Sequence, residues 1–308
     1  MLMLDSVQKN MLREVADLHE TPIGAYNIRA NGQTAERAVT ANVDIITKAE
    51  GTGIDIRVKA GTKNESVHIP VIISESGLEE VVYNDFFIGE DADVVIVAGC
   101  GIHNCGKQDS SHSGIHRFFL ERGAKVKYVE KHYGEGDGNG RNVMNPKTEV
   151  TLAEGAVMEM ETVQIKGIDS TEREMIATVG EGAKLLVRER LMTHGNQRAI
   201  SNYKIEMQGE GSSCDVVSRS VAKDTSYQRF DSLILGNAPC TGHTECDAII
   251  MDEARVLAVP GLEANHVDAS LIHEAAIGKI AGEQLIKLMT LGLTEAEAEE
   301  QIIGGFLR

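Results

Sequence analysis

The densest collection of reactive side chains in this sequence is Gly99-Cys-Gly-Ile-His-Asn-Cys-Gly106, followed by His112 and His116. Cys100, Cys105, His103, His112 and His116 put two thiols and three imidazoles within seventeen residues. Thiolates and imidazoles are the ligands of soft and borderline metals, so metal or cluster chemistry is one reading. A turn with a buried, inert cysteine is the other. The segment also imitates a phosphate-binding loop from Gly101 to Lys107. Gln108, however, stands where a Ser or Thr hydroxyl should hold magnesium, and no helix-forming run follows to face a phosphate. No nucleotide is expected on this chain.

A second candidate is Pro239-Cys-Thr-Gly-His-Thr-Glu-Cys246, in which Cys240 and Cys246 flank His243. Six residues of extended chain span roughly 20 Å. The two thiolates share one small centre only if the chain turns near Thr241-Gly242, and a zinc finger would use closer spacing. The third candidate is Asn265-His-Val-Asp268 leading to His273-Glu274, an adjacent pair able to ligate iron or shuttle protons, or an ordinary polar pair. Gly134-Glu-Gly-Asp-Gly-Asn-Gly140 lacks the ligand spacing of a calcium loop and reads as a loop. Cys214 lies among small residues and reads as structural.

The elements that position these residues are mostly strands. Residues 5–20 have helical spacing, with Val7, Met11, Leu12, Val15 and Leu18 on one side. From about residue 40 to 260 that period gives way to short alternating or β-branched stretches. An acidic residue with a following Gly or small residue recurs at Glu90, Glu121, Glu154, Glu181, Glu210 and Glu253, in steps of 31, 33, 27, 29 and 43 residues. Steps near thirty suggest a structural repeat whose unit holds two or three strands. Stacked units of that size favour a β-solenoid, with a β-sandwich as rival. Helical spacing returns at Glu283–Met289, and Thr294-Glu-Ala-Glu297 is a capping box that opens a second helix. The segments expected are 1–39 helical, 40–268 β core and 269–308 helical.

Composition narrows the function. The 308 residues carry 47 acidic and 30 basic side chains, a net charge of −17. Such a surface repels phosphate backbones and anionic lipid, so neither nucleic acid nor membrane is expected as a partner. Trp is absent, which weakens a glycan-binding reading. The first twenty residues lack the basic and apolar regions of a signal peptide, and no apolar run approaches the ~18 residues of a membrane span. A cytoplasmic protein is expected, with its five cysteines reduced.

From about Gly99 onward the sequence resembles the SufB/SufD family of iron–sulfur cluster assembly scaffolds, in the compact form of archaea and anaerobic bacteria. Phe230-Asp-Ser-Leu-Ile-Leu-Gly236, Cys240-Thr-Gly-His243, His273-Glu-Ala-Ala-Ile-Gly-Lys-Ile280, the helix at 283–291 and Thr294–Phe306 follow the family's order and spacing. The resemblance implies a mainly β fold, a right-handed parallel β-helix core with a short N-terminal helix and a C-terminal helical pair. It implies a homodimer made through the end of the β-helix. It also implies that the C-terminal helices dock a SufC-like ABC ATPase, whose closure exposes the cluster site.

The cargo implied is a labile iron–sulfur cluster of the 4Fe–4S type, passed to apo iron–sulfur proteins. The scaffold itself is not an enzyme on this reading. Phe230 occupies the position of a cysteine implicated in SufB assembly, whereas Glu274 after His273 follows SufB and not SufD. Cys100, Cys240 and Cys246 are then the natural thiolate ligands, with His273 or Glu274 as a weaker one. Cys105 and His243 complete the expected set. The readings weighed against a scaffold are a cluster-free adaptor of the ATPase and a polysaccharide-active β-helix enzyme.

Overall fold

Inward and outward side chains alternate at every second residue along Val157–Lys166, Ser170–Val179 and Tyr227–Gly236. That is the period of a strand with one face packed inward. The computed structural model describes residues 4–308 and stacks such strands into a β-solenoid of about eight turns, with 58% of residues in strands.

Two sheets face each other across the core. In chain order the first contains β1 (Ala25–Ala30), β2 (Gln33–Ala38), β5 (Lys63–Ile73), β7 (Asp93–His103), β9 (Lys125–Glu135), β12 (Val157–Lys166), β14 (Lys184–Thr193), β16 (Ser212–Ala222), β18 (Cys240–Ile250) and β20 (Ala269–Gly278). The second contains β3 (Val43–Thr47), β4 (Gly53–Val58), β6 (Glu79–Ile88), β8 (Ser110–Leu120), β10 (Asn142–Met144), β11 (Lys147–Leu152), β13 (Ser170–Val179), β15 (Arg198–Met207), β17 (Tyr227–Gly236) and β19 (Arg255–Ala264). Neighbours pair in parallel, except that β2 and β3 fold back antiparallel on β1 and β4 at the N-terminal end. β10 and β11 together fill one place between β8 and β13, interrupted at Asn145-Pro146, where proline has no N–H to give the ladder.

The recurring acidic-Gly-small unit is a corner of this coil. Asp91, Gly123, Gly155, Gly182 and Gly211 all have positive φ, and each N–H donates to the carbonyl of the next turn's corner. Gly155 N donates to Glu181 O at 2.8 Å and Gly182 N to Glu210 O at 2.9 Å. The small residue after it, as in Ala124, Ala156 and Ala183, is fully buried where the chain enters the core. Glu253 belongs to the opposite corner: its N–H donates to Asp224 O, and Asp224 and Asp252 are the left-handed residues there. The 43-residue step therefore joins two different corners.

Segment boundaries differ from those expected. Strands begin at Ala25, inside the segment read as helical to 39, and β20 occupies 269–278, inside the segment read as helical from 269. In both stretches the alternation is short, and in β20 exposed alanines obscure it. The helices are α1 (Ser6–Ala16), α2 (Gly282–Met289) and α3 (Glu295–Phe306). α1 opens with an Asp5/Gln8 capping box and buries Met11, Leu12 and Val15 against the first sheet. Thr294 and Glu297 form the expected box at α3, whose Ile303 packs on Val221.

The interior has an apolar layer and a polar one. Along β9, Val126 and Tyr128 face inward first, then Glu130 and His132. Most of the polar layer is paired through hydrogen bonds and ion pairs, while Thr162 Oγ1, Gln228 Oε1 and His273 Nδ1 have no hydrogen-bond partner within the chain. Arg29 pairs with Glu80, Glu80 lies 3.3 Å from His112, and His116 Nδ1 lies 2.7 Å from Tyr128 Oη. Glu130 and Arg173 form an ion pair at 2.6 Å, and Glu189 accepts from Ser201, Tyr203 and Ser218.

Candidate functional site

Strand parity divides the first cluster in two. On β7, Cys100 and Ile102 point into the solenoid, and Gly99 and Gly101 point outward beneath α1. A Cβ on Gly99 would lie 2.4 Å from Val15 O, and one on Gly101 would lie 2.7 Å from the Met11 methyl. The glycines of this motif thus admit a helix, not a phosphate. Cys100 lines a cavity of about 20 Å³ with His112, His116, Glu130 and His132, room for a water-sized guest. The imidazoles already have partners, and burial, reinforced by Glu80 and Glu130, pushes the Cys100 thiol far above its usual range. Burial likewise lowers His116 to about 4, which keeps it neutral. His103 and Cys105 stand apart from this cavity, at the outer end of β7.

The second candidate is an uninterrupted strand. β18 runs from Cys240 to Ile250 with no turn at Thr241-Gly242. Cys240 and Cys246 both face the core, six residues apart, so roughly 20 Å separates them. They cannot share a small cluster within one chain. Cys100 is five ladder steps from β18, on the order of 24 Å at ~4.8 Å per step, which removes it from their surroundings too. Burial is the leading cause that raises all three thiols, Cys246 to about 12. Cys214 is also buried at about 12. Phe230 packs on Tyr203 in the core and leaves no thiolate there.

What converges instead lies on the outer face of the last two strands of the first sheet. His243 alternates outward from the cysteines and pairs in register with Ile272, and Glu274, two residues further along that neighbouring strand, is opposite Glu245. His243, Glu245 and Glu274 offer one ligand atom each, all within 4.8 Å of one another, the single such group found among the described residues. His243 Nε2 is 3.5 Å from Glu274 Oε2. Its Nδ1 is 2.8 Å from Asp215 Oδ1, and Arg188 holds that carboxylate from the other side at 2.5 Å. The bond to Asp215 raises the His243 pKa, while His243 and Arg188 draw the Asp215 carboxyl down against the opposing effect of burial.

A carboxylate on Nδ1 fixes the tautomer that leaves Nε2 as the ligand atom, the usual support of a metal-binding histidine. Hydrogen bonding with Asp247, then burial, raises Glu245. One imidazole and two carboxylates suit a divalent ion such as Fe²⁺ better than they suit a soft thiophilic one.

His273 follows the inward face, in register with Thr244, and its buried Nδ1 has no partner within the chain. The expected ligands therefore fall into an inward set (Cys240, Cys246, His273), an outward set (His243, Glu274) and a distant pair of thiols (Cys100, Cys105). Glu245 and Asp215 were missed in the sequence. Glu245 was within reach, since His243 and Glu245 share one face by period two. Asp215 required the register of β16 against β18.

β19 and β20 each end their sheet and are mostly exposed, with Leu257, Val259 and Ile272 open to solvent. α2 and the turn after it expose Ile286, Met289 and Leu291. No helix among the described residues is long and apolar enough to cross a membrane.

Residues 76–306 match the family model described as SUF system FeS cluster assembly, SufBD core domain. An iron–sulfur cluster assembly SufBD family protein of Methanothermobacter thermautotrophicus is 28% identical over 286 residues, covering 88% of this chain and 68% of the relative. One from Methanocaldococcus jannaschii is 29% identical over 257 residues, covering 82% and 79%. One from Mycobacterium tuberculosis is 29% identical over 237 residues, covering 74% of this chain but 27% of the much longer relative.

Proposed function

The chain belongs to the SufBD family of iron–sulfur cluster assembly proteins, and from that membership we propose that it is a scaffold on which a labile cluster is built and handed on. The observation that carries the reading is the His243–Glu245–Glu274 group at the open end of the solenoid. It supplies iron with nitrogen and oxygen ligands, and such ligands release a cluster to an apo-protein more readily than four thiolates do. A 4Fe–4S cluster is the proposed cargo. Cys240, Cys246 and His273 lie beneath this face and become ligands only when the end strands shift.

A homodimer follows from the same end. β19 and β20 leave one edge of N–H and C=O groups open, and their exposed apolar side chains suit a second copy placed end to end. The SufC-like ATPase docks on α2 and α3, where Ile286, Met289 and Leu291 form the apolar contact. Its ATP-driven closure would supply the shift. The scaffold hydrolyses nothing itself. Five free cysteines suit a reducing cytoplasm. One observation favours the cluster-free adaptor as a second reading: four of the five thiols are buried.

Ferrous titration under anaerobic conditions tests the iron site. The chain should bind about one Fe²⁺ per protomer, and Glu274→Gln and His243→Gln should each weaken binding by roughly 10–100-fold, the scale of losing one group from a metal centre. Arg188→Gln should weaken it less, since Arg188 reaches His243 only through Asp215. Unchanged affinity in both ligand variants would remove this site from the account.

A further inference from the structure

The chain carries a net charge of −17, yet one of its cavities is walled by arginines. It lies on the outer face of the first sheet, holds about 420 Å³ and is lined by Arg188, Arg190, Arg219 and Arg308, with His243 and Glu245 at one side. Strand parity builds it. Arg188 and Arg190 project outward from β14 on either side of the inward Glu189, and Arg219 projects outward from β16. The fourth arginine comes from the end of α3. Ile303 and Leu307 pack on Val221 of β16, and Arg308 follows Leu307 into the lining.

Arg188 already has its carboxylate. It holds Asp215, which His243 holds from the other side. The other three guanidinium groups are not satisfied in this way. Arg190 lies 3.9 Å from Glu161, beyond hydrogen-bond length, and Lys127 reaches that carboxylate at 2.8 Å. The Arg219 and Arg308 side chains make no hydrogen bond or ion pair among the described residues. Arg190 and Arg219 also stand in register on neighbouring strands, and like charges directly opposite one another are destabilising. Asp247, in register with Arg219 on its other side, accepts from Ala276 N and shares a hydrogen bond with Glu245. Glu245 is then the one lining carboxylate left to face three guanidinium groups.

We propose that this cavity binds a small polyanion through carboxylate or phosphate oxygens, with Arg190 and Arg219 as the principal contacts and Arg308 at the rim. A guanidinium presents its N–H groups as a planar fork that matches such oxygens two at a time. Two forks side by side repel each other until an oxyanion bridges them. Three forks around one space call for more than one negative charge. The volume falls within the ~300–1,000 Å³ of small-molecule sites, which suits a metabolite and not a macromolecule. The iron reading of His243, Glu245 and Glu274 gives the anion a place in the chemistry, since three protein ligands leave positions open on an ion beside the cavity. The anion site itself does not depend on that reading.

The test is isothermal titration of the full, iron-free chain at low salt, with citrate and with pyrophosphate as probes. One site per chain is expected for at least one of them. Citrate alone identifies a carboxylate ligand, pyrophosphate alone a phosphate ligand, and both a site that reads the oxyanion itself. Arg190→Gln and Arg219→Gln should each weaken binding roughly 10–100-fold, the scale of a hydrogen bond to a charged group. Arg308→Gln should give a smaller loss. Lys184→Gln removes the same charge from the same face of β14, six residues or roughly 20 Å from Arg190, and should leave the affinity unchanged. No binding of either probe, or equal losses in Lys184→Gln and Arg219→Gln, overturns the proposal.

Ferrous titration of the same preparations separates this inference from the iron reading. A chain that binds Fe²⁺ and neither anion overturns the inference alone. A chain that binds an anion and no Fe²⁺ keeps the cavity and removes the iron site.

Discussion

Replacing Arg173 by leucine should lower the stability of the solenoid by roughly 3–5 kcal/mol at neutral pH, the cost of leaving a buried charge without its partner. Arg173 and Glu130 are 7% and 4% exposed and 2.6 Å apart. Burial alone would push the Glu130 carboxyl up. Arg173 foremost, then His132 and His116, reverse that and hold it well below its usual value of 4.5. In the variant, burial dominates and the carboxyl rises above 4.5.

The sign with pH follows. In the wild type the pair's contribution is present above the unfolded value and is lost as pH falls through the depressed folded value. The variant's penalty is full above the raised folded value and fades as pH falls from there to the unfolded value near 4.5, below which the carboxyl is neutral in both states. Chemical denaturation at pH 7 and pH 4 should show a large gap that narrows in acid. A gap under ~1 kcal/mol at pH 7 would mean that water reaches Glu130.

The second large effect is expected at Gly167→Ala. Gly167 has φ 73°, and its Cβ would lie 1.8 Å from Gly134 O, while the reciprocal Cβ on Gly134 would lie 1.9 Å from Gly167 O. A left-handed alanine costs about 1–2 kcal/mol, and forced displacement in a packed site adds about 1–3 kcal/mol. The loss should be roughly 2–5 kcal/mol. Gly182→Ala is the matched control: its φ is 59° with nothing within 4 Å of the added carbon, so it should lose only the first amount. Denaturation midpoints compare the two, and equal losses would refute the close approach.

Much of the architecture is legible in the sequence, because a solenoid repeats one local rule. Alternation along Val157–Val163 and the Glu-Gly-Ala corner at Glu154 and Glu181 state the strand, the turn and the repeat length. The rule cannot say which corner a given instance occupies, and Glu253 shows the ambiguity.

The site was less legible, for a different reason. Cys100 and Cys105 are neighbours in sequence, yet strand parity buries one and the end of β7 exposes the other. Cys240 and His243 share a motif but lie on opposite faces of β18. Proximity in a parallel coil comes from residues about thirty apart, as with Asp215 and His243 or His103 and Glu135. A motif read as a short string does not carry that register.

Anaerobic co-expression with a SufC-like ATPase, the proposed partner, followed by iron and acid-labile sulfide assay of the purified complex, tests the central claim most directly. The account predicts iron and sulfide in equal amounts, bound to the wild-type complex and sharply reduced by His243→Gln with Glu274→Gln. An intact complex that holds neither, even after reconstitution with ferrous iron and sulfide, would contradict it and leave an adaptor of the ATPase.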